Sequence, residues 1–282
     1  MDRGLPAELG RFVNRIVSRL GRCELDYAPL PSSGDTGPVL PAGVLFLLSF
    51  RAGPSPPGPD GGEFVLHLIK RSATVAQGGD LSCPGGILDL RRDPVARCVL
   101  PRLFPIIPPA VNRELARRDT ATRRAVLLFL ANALRESWEE VRLRPWQVRF
   151  LGALPPYSLL LLKRRIFPVV GLLDGTWRPR INAEVERIVE IPLRAFFNPA
   201  NYAWFDFSLP DRVSDRSGMP AEFPCLVYRE ADGRQEVLWG ATFNITMTFL
   251  KIVADFERPA IAPDRVVRRT LPPGYLQGRN RS

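Results

Sequence analysis

Three glutamates lie close together between Arg135 and Glu140, and they constrain this chain more than any other feature. Glu136, Glu139 and Glu140 are three and four residues apart, so a helix would place their carboxylates on one face. Like charges at this spacing repel one another unless divalent cations neutralise them. Hard oxygen ligands suit Mg²⁺ or Mn²⁺, which stabilise charge on a phosphate under attack. The stretch therefore predicts a helix that carries a metal site for phosphate chemistry.

A Gly-Gly turn precedes this stretch, and the two together resemble the Nudix box. That box reads G-x-x-x-x-x-E, a short spacer, and then R-E-U-x-E-E-x-G-U, where U is aliphatic. Gly86 matches the first glycine, and the second half is matched by Arg135, Glu136, Glu139, Glu140 and Leu143. The resemblance implies an α/β fold, a Nudix-type α/β/α sandwich with a mixed sheet and a loop-helix-loop metal site. It also implies a hydrolase that cleaves a pyrophosphate linkage.

The match departs from the pattern in residue type and in length. Arg92 stands where the first glutamate is expected, with Asp93 beside it, while Ser137 and Arg142 replace an aliphatic residue and the late glycine. Residues 93–134 separate the two halves, which is an insertion of 35 residues relative to the pattern. Because the carboxylate triplet is intact, we expect metal binding to survive these departures.

Short motifs around the box are similar to the coenzyme A pyrophosphatase branch of the Nudix hydrolases. Upstream, Leu68-Ile69-Lys70-Arg71-Ser72 and Cys83-Pro84-Gly85-Gly86 follow the branch's L-L-T-x-R-S and F-P-G-G. Downstream, the branch's motifs occur in order as Leu151-Gly152-x-Leu154-Pro155, Pro168-Val169-Val170-Gly171, Asn182-x-Glu184-Val185, Ile191-Pro192-Leu193 and Trp239-Gly240-Ala241-Thr242. Some eukaryotic coenzyme A diphosphatases also carry a long insertion inside the box, so the insertion has precedent.

The resemblance implies a reaction and the residues that perform it. Coenzyme A or acyl-CoA would be hydrolysed at its pyrophosphate bond to 3′,5′-ADP and 4′-phosphopantetheine or its acyl form. Mg²⁺ or Mn²⁺ would bind Glu136, Glu139 and Glu140, with Arg135 orienting these glutamates. A box glutamate, Glu136 or Glu140, would take the proton of the attacking water, or Glu184 would; the sequence leaves both alternatives open.

The predicted substrate-binding residues lie in the two upstream motifs. Gly85 and Gly86 allow positive φ and close approach of backbone N–H groups to phosphate. The branch places its R-S motif near the substrate, so Lys70, Arg71 and Ser72 are predicted to contact the coenzyme A 3′-phosphate. An exposed strand end explains the two cations equally well.

Composition restricts the partners and the compartment. The net charge of +10 and pI of about 10.2 favour an anionic partner. No RNA-reading motif or interleaving of aromatic and basic residues is visible, so we expect a small nucleotide and no nucleic acid. Four cysteines without C-x-x-C spacing fit a reducing compartment. The sequence shows no secretory signal. It also shows no membrane span, which would need about 20 apolar residues. The predicted location is therefore cytoplasmic.

The chain divides into three predicted parts. Residues 1–42 form a helix (5–20) and a connector, residues 43–257 the Nudix domain with its insertion at about 93–127, and residues 258–282 a Pro/Arg-rich tail that is surface-draped or disordered. Proline forbids one long helix in the insertion, but 95–103 can form a short one and 120–141 a long one. Further strands and a last helix are predicted at 44–50, 64–69, 150–154, 167–173, 185–192, 223–229, 236–239 and 242–255.

Two alternative functions remain open. One is a Nudix hydrolase of another nucleoside diphosphate derivative, such as ADP-ribose, NADH or capped RNA. The other is a non-catalytic Nudix-fold binding module, which Arg92, Ser137 and Arg142 favour and the intact glutamates oppose. The single histidine, His67, lies in an apolar run and is predicted to be a strand residue, so a histidine-dependent triad is not expected. A homodimer is an arrangement that the sequence leaves open.

Overall fold

The central sheet is built from the long apolar runs of the chain. The computed structural model describes residues 9–27, 39–52, 62–159, 163–208, 222–271 and 275. Within them, this sheet comprises β1 (Leu40–Ala52), β2 (Gly62–Arg71), β3 (Leu81–Ser82), β4 (Gly85–Ile87), β5 (Val148–Ala153), β6 (Tyr157–Leu159), β7 (Arg164–Leu173) and β8 (Val185–Pro192). Most of the predicted connector at 30–42 and of the Pro/Gly loop at 53–62 lies outside the described residues.

The sheet is mixed, as predicted. Its main order is β3-β2-β1-β7-β5, with β4 beside β1, β6 beside β7 and β8 beside β2. β1 runs parallel to β7 but antiparallel to β2 and β4. β4 pairs with the start of β1, so that Gly86 lies opposite Gly43. This pairing fixes the Gly-Gly turn to the middle of the sheet.

Helices cover both faces of this sheet. They are α1 (Leu9–Arg22), α2 (Arg92–Leu103), α3 (Pro109–Ala116), α4 (Thr120–Val141) and α5 (Gly240–Ala254). Because side chains of a strand alternate between faces, Phe46 and Leu48 of β1 pack with α1 and α5. Leu45 and Leu47 pack with α3 and α4 on the other side. The predicted α/β/α sandwich is therefore confirmed.

The insertion forms helices that lead into the long helix. α2 begins three residues before the predicted 95–103 helix, ends at the same residue and contains Pro101 in its last turn, while Pro109 opens α3. α4 begins at the N-cap Asp119, which accepts a hydrogen bond from the Thr122 N–H at 2.9 Å. It ends at Arg142, whose φ of 55° is left-handed. Glycine favours this conformation, which gives a physical reason for the late glycine of the box and for strain at Arg142.

A second sheet was predicted only in part. It has the order β11-β10-β9-β12, formed by β9 (Tyr202–Ser208), β10 (Phe223–Arg229), β11 (Gln235–Leu238) and β12 (Val266–Thr270). β10 and β11 were predicted, whereas β9 and β12 were not. The prediction of a surface-draped or disordered tail is wrong for β12, because it pairs in parallel with β9. Tyr275 of the tail is also buried.

None of the helices in the described part of the chain is long and apolar enough to cross a membrane.

Candidate active site

The last turns of α4 bring the three glutamates against the Gly-Gly turn of β4. Glu140 is 4% exposed, and its Oε2 accepts a hydrogen bond from the Gly85 N–H at 2.9 Å. Burial raises the pKa of Glu140 to about 8, and the Gly85 hydrogen bond opposes this shift. A buried carboxylate that accepts one backbone hydrogen bond still has free lone pairs, and a cation can bind to them.

Arg135 holds the other two glutamates. Its guanidinium lies 2.8 Å from Glu136 Oε1 and 3.3 Å from Glu139 Oε2. Burial raises the pKa of Glu136, and the charge of Arg135 opposes this shift. Glu139 is more exposed and also lies 3.6 Å from the Arg92 guanidinium. The predicted orienting role of Arg135 thus has a geometric basis.

Asp93 anchors Arg135, and sequence reasoning missed its role. The Asp93 side chain is fully buried, and its Oδ1 accepts a hydrogen bond from Arg135 Nε at 2.7 Å. Burial lowers the pKa of Arg135, but the hydrogen bond to Asp93 and the negative charge of Glu136 outweigh this effect and raise it. The available signal was that Asp93 adjoins the position where the box expects an acid.

Asn132 ties the helix to the strands on which the glycines lie. Its Oδ1 accepts a hydrogen bond from the Gly43 N–H at 2.7 Å, and its Nδ2 donates to Ile87 O at 3.2 Å and to Asp93 Oδ2 at 2.9 Å. Asn132 is fully buried. This one side chain therefore connects β1, β4, α2 and α4, and no motif in the sequence indicated it.

Both glycines are required by space as well as by conformation. Gly85 has a φ of 152°, and a Cβ there would lie 2.3 Å from Gly43 O. A Cβ on Gly86 would lie 2.5 Å from the carboxyl carbon of Glu136. The glycines thus allow the carboxylate helix to approach the turn, where a Cβ on Gly85 would meet backbone and a Cβ on Gly86 would meet the Glu136 carboxyl group.

The donor set fits a divalent cation, but the cation-binding arrangement is not preassembled. Within the described residues, no group of three or more histidine, cysteine or acidic side chains is positioned to hold a metal ion. Arg135 occupies the space between Glu136 and Glu139. The buried carboxylate of Glu140 and the partly buried carboxylate of Glu136 nevertheless offer hard oxygen ligands that suit Mg²⁺ or Mn²⁺. The metal ligands therefore stay a prediction.

Arg71 and Glu184 lie near Glu140 from the other side. The charge of Arg71 lowers the pKa of Glu140, and that of Glu184 raises it. Glu184 is exposed, and its carbonyl accepts a hydrogen bond from the Ser72 N–H at 2.8 Å. This contact brings the N-x-E motif and the R-S motif together. The choice of Glu184 or a box glutamate as proton acceptor stays open.

Lys70 and Ser72 have partners within the protein. Lys70 Nζ lies 2.9 Å from the buried carboxylate of Glu236 and 3.7 Å from Glu186. Ser72 Oγ lies 3.0 Å from Thr74 Oγ1. Arg71 Nε donates to Ala76 O at 2.8 Å. Two cations were predicted to contact phosphate. Arg71 lies near Glu140, whereas the charge of Lys70 is neutralised by Glu236 and Glu186.

His67 is a strand residue of β2, as predicted. It is 5% exposed, and its Nε2 lies 2.7 Å from Ser49 Oγ. Burial lowers the pKa of His67, and the neighbouring Glu190 opposes this shift. His67 is not among the groups that surround Glu140, so it takes no part in the candidate site.

The chain is similar in sequence to a known protein. No protein-family model matches the chain. The chain is 29% identical over 215 residues to the peroxisomal coenzyme A diphosphatase NUDT7 of Mus musculus. The aligned region covers 75% of this chain and 73% of that protein.

Solved structures with similar topology were also found. A NUDIX hydrolase from Alicyclobacillus acidocaldarius aligns with a TM-score of 0.36 at 15% identity, over 56% of this chain and 81% of that chain. The C. elegans Ap4A hydrolase in a binary complex aligns with a TM-score of 0.33 at 12% identity, over 54% and 80%.

Three observations now agree: the ordered motifs, the glutamate helix packed on a Gly-Gly turn, and a relative that spans three quarters of the chain. The chain is therefore similar to the Nudix hydrolases and resembles their coenzyme A pyrophosphatase branch.

Proposed function

We propose that this protein hydrolyses the pyrophosphate bond of coenzyme A or acyl-CoA, releasing 3′,5′-ADP and 4′-phosphopantetheine or its acyl form. The observation that carries the proposal is the placement of Glu136 and Glu140 against Gly86 and Gly85. Similarity to a coenzyme A diphosphatase over 215 residues supports the choice of substrate.

Residues of the chain would bind and orient the pyrophosphate. Gly85 and Gly86 would act by letting the glutamate carboxylates come close to the turn, because the space beside each glycine is already filled by Gly43 O or by the Glu136 carboxyl group and the Gly85 N–H is bonded to Glu140. Arg71, which lies near Glu140, would contribute positive charge to the phosphates, and its planar guanidinium can bind two phosphate oxygens at once. Arg135, fixed by Asp93, would hold Glu136 and Glu139 in position.

Nudix hydrolases generally use divalent metals such as Mg²⁺ or Mn²⁺. In this chain Glu136, Glu139 and Glu140 would hold the ion. When bound, it neutralises phosphate charge and lowers the pKa of a coordinated water. Removal of the proton from the attacking water falls to Glu136 or Glu140, or to Glu184, whose charge acts on Glu140.

The proposal includes a location and a partner. We keep the cytoplasm as the proposed location; the name of the mouse relative assigns that protein to the peroxisome. The proposed partner is a nucleotide-derived small molecule.

A substrate panel tests the proposal. Purified protein is incubated with coenzyme A, ADP-ribose, NADH or capped RNA in the presence of Mg²⁺ or Mn²⁺, and products are identified by mass spectrometry. The expected product is 3′,5′-ADP from coenzyme A, formed by the wild type and not by Glu139→Gln/Glu140→Gln. Glu257→Gln, an exposed glutamate after α5, serves as the matched control and should retain activity.

The other outcomes each select an alternative. Cleavage of ADP-ribose, NADH or capped RNA without cleavage of coenzyme A would overturn the substrate and retain the pyrophosphohydrolase. No cleavage of any of the four would favour the non-catalytic binding module. Isothermal titration with Mn²⁺ then separates an enzyme from a binding module, because a module with a degenerate site should bind the ion poorly.

A further inference from the structure

The loop that follows β7 packs against the C-terminal end of α4. The Arg180 N–H donates to Val141 O at 3.2 Å, and the Asn182 N–H donates to Glu140 O at 2.9 Å. Gln147 Nε2 donates to Thr176 O at 2.7 Å. These three hydrogen bonds fix the loop in place, so that its side chains and those of α4 enclose a cleft.

The cleft has a volume of about 680 Å³, which lies within the usual range for small-molecule sites. Its lining brings together two segments far apart in sequence. Four arginines and two tryptophans supply most of this lining: Arg142, Arg144, Arg178, Arg180, Trp138 and Trp177. The fold thus creates the interleaving of aromatic and basic residues that the sequence alone does not show.

The charge of the cleft is uncompensated. No acidic residue lines it, and none of its four arginines forms an ion pair with any acid of the described chain. By contrast, Arg135 and Arg187 are each paired with acids. The Arg142 guanidinium lies 5.2 Å from the ring centre of Trp138. Four unpaired guanidiniums in one concave surface repel one another, and a multiply charged anion would relieve this repulsion.

The residue types indicate what that anion carries. Arginine binds phosphate oxygens in pairs through its planar fork. Tryptophan offers a flat face on which a base can stack, and Trp138 is 38% exposed here. We propose that this cleft is a second ligand site that binds a nucleotide with more than one phosphate group, the base against tryptophan and the phosphates between the arginines.

This site is separate from the catalytic carboxylates. Trp138 lies about 160–200° around the helix from Glu136 and Glu140, since each residue turns an α-helix by about 100°. The same loop nevertheless carries Glu184 beside the catalytic turn. Binding of the nucleotide does not depend on hydrolysis, so this proposal can fail or succeed independently of the proposed function.

The test is equilibrium dialysis of the metal-free full chain with ATP, beside tripolyphosphate and inorganic phosphate. We expect saturable binding of ATP, tighter than that of tripolyphosphate. Arg178→Ala/Arg180→Ala should weaken it about tenfold or more, since two charge-assisted contacts are lost. The control Arg123→Ala/Arg124→Ala removes two exposed arginines from the other end of α4 and should leave the affinity unchanged.

Two further variants separate the alternatives. Trp138→Ala should abolish the preference for ATP over tripolyphosphate, whereas Glu139→Gln/Glu140→Gln should leave ATP binding unchanged. The proposal is overturned if ATP does not saturate, if both arginine pairs weaken binding equally, or if ATP binds no better than tripolyphosphate. Binding of a single-stranded oligonucleotide without binding of ATP would also overturn it, in favour of a nucleic-acid surface. Circular dichroism checks that each variant is folded.

Discussion

Glu140 shows how burial prepares a carboxylate for a charged partner. Its side chain is 4% exposed, and the Gly85 N–H is its hydrogen-bond donor in the described structure. Burial penalises the charged form, which is why the pKa of Glu140 rises to about 8. A cation placed beside Glu140 would favour the ionised carboxylate again. The residue is thus suited to a site where positive charge arrives with the ligand.

Substituting the two neighbouring glycines should separate activity from stability. In Gly86→Ala, the new Cβ meets the mobile end of Glu136, so the fold tolerates it but the carboxylate moves. A displacement of about 1 Å can cost roughly 10²-fold in rate, and we expect a loss of that order in coenzyme A hydrolysis. In Gly85→Ala, the Cβ meets the backbone of Gly43 at a φ of 152°, so about 1–3 kcal/mol of stability is lost.

Steady-state kinetics and urea unfolding of both variants check this pair. The explanation fails if Gly86→Ala hydrolyses coenzyme A at the wild-type rate, or if Gly85→Ala is as stable as the wild type.

His67 should make stability depend on pH. Its ring is buried beside Ser49, Glu190, Arg51 and Trp177, and burial lowers its pKa from the ordinary 6.5. The unfolded chain therefore binds the proton more readily, so stability falls as pH decreases below about 6.5, by at most about 1.4 kcal/mol per pH unit. Urea unfolding at about pH 7.5 and pH 5.5 should show this decrease, and it should be smaller in His67→Gln. An equal decrease in His67→Gln would contradict this role of the buried ring.

At the scale of elements, α4 is held by α2 through polar contacts that no local pattern reveals. The spacing of the glutamates was enough to predict the helix and its carboxylate face, and the resemblance to the Nudix box indicated Arg135. Asp93 could not be assigned, because its partner lies 42 residues later and the insertion hides the box spacing. Asn132 looked like a polar residue in an apolar stretch, whereas its three hydrogen bonds join separate elements.

Removing Asp93 should therefore destabilise the protein and the site together. Asp93→Ala leaves the buried guanidinium of Arg135 without its anchor, and breaking one side of a buried pair costs about 3–5 kcal/mol. The control is Asp89→Ala, since Asp89 is partly exposed and accepts hydrogen bonds from the backbone N–H groups of Arg91 and Arg92. Urea unfolding should show a much larger loss for Asp93→Ala. A loss no greater than that of Asp89→Ala would contradict the anchoring role.

At the scale of the whole molecule, the two sheets are joined through buried polar contacts around Asp80. Trp239 Nε1 donates to Asp80 Oδ1 at 3.1 Å, and the Tyr275 hydroxyl donates to Asp80 Oδ2. The five longer strands of the first sheet were predictable because they are apolar runs, whereas the short strands β3, β4 and β6 were not predicted. β12 was not, since Arg268 and Arg269 are exposed and its pairing with β9 depends on tertiary contact. The arginine cleft could not be predicted either, because it forms only where segments distant in sequence come into contact.

Tyr275→Phe should weaken the connection of the tail. It removes one hydrogen bond from a buried carboxylate, which costs about 1–3 kcal/mol, while keeping the ring. Tyr228→Phe, on the half-buried face of β10, is the control and should cost less. Thermal unfolding of both variants measures the difference. Equal stability of the two variants would show that the Asp80 contact does not hold the tail.

We propose that the glutamate helix on the Gly-Gly turn is the centre of pyrophosphate hydrolysis. The most direct test is the rate of 3′,5′-ADP formation from coenzyme A by Glu140→Gln, compared with the wild type under saturating Mg²⁺. Glutamine keeps the acceptor for the Gly85 N–H and removes the negative charge. We predict a rate loss of roughly 10²–10⁴-fold, the range for loss of a catalytic group, with an unchanged unfolding midpoint. A folded Glu140→Gln protein that forms 3′,5′-ADP at the wild-type rate would contradict the claim.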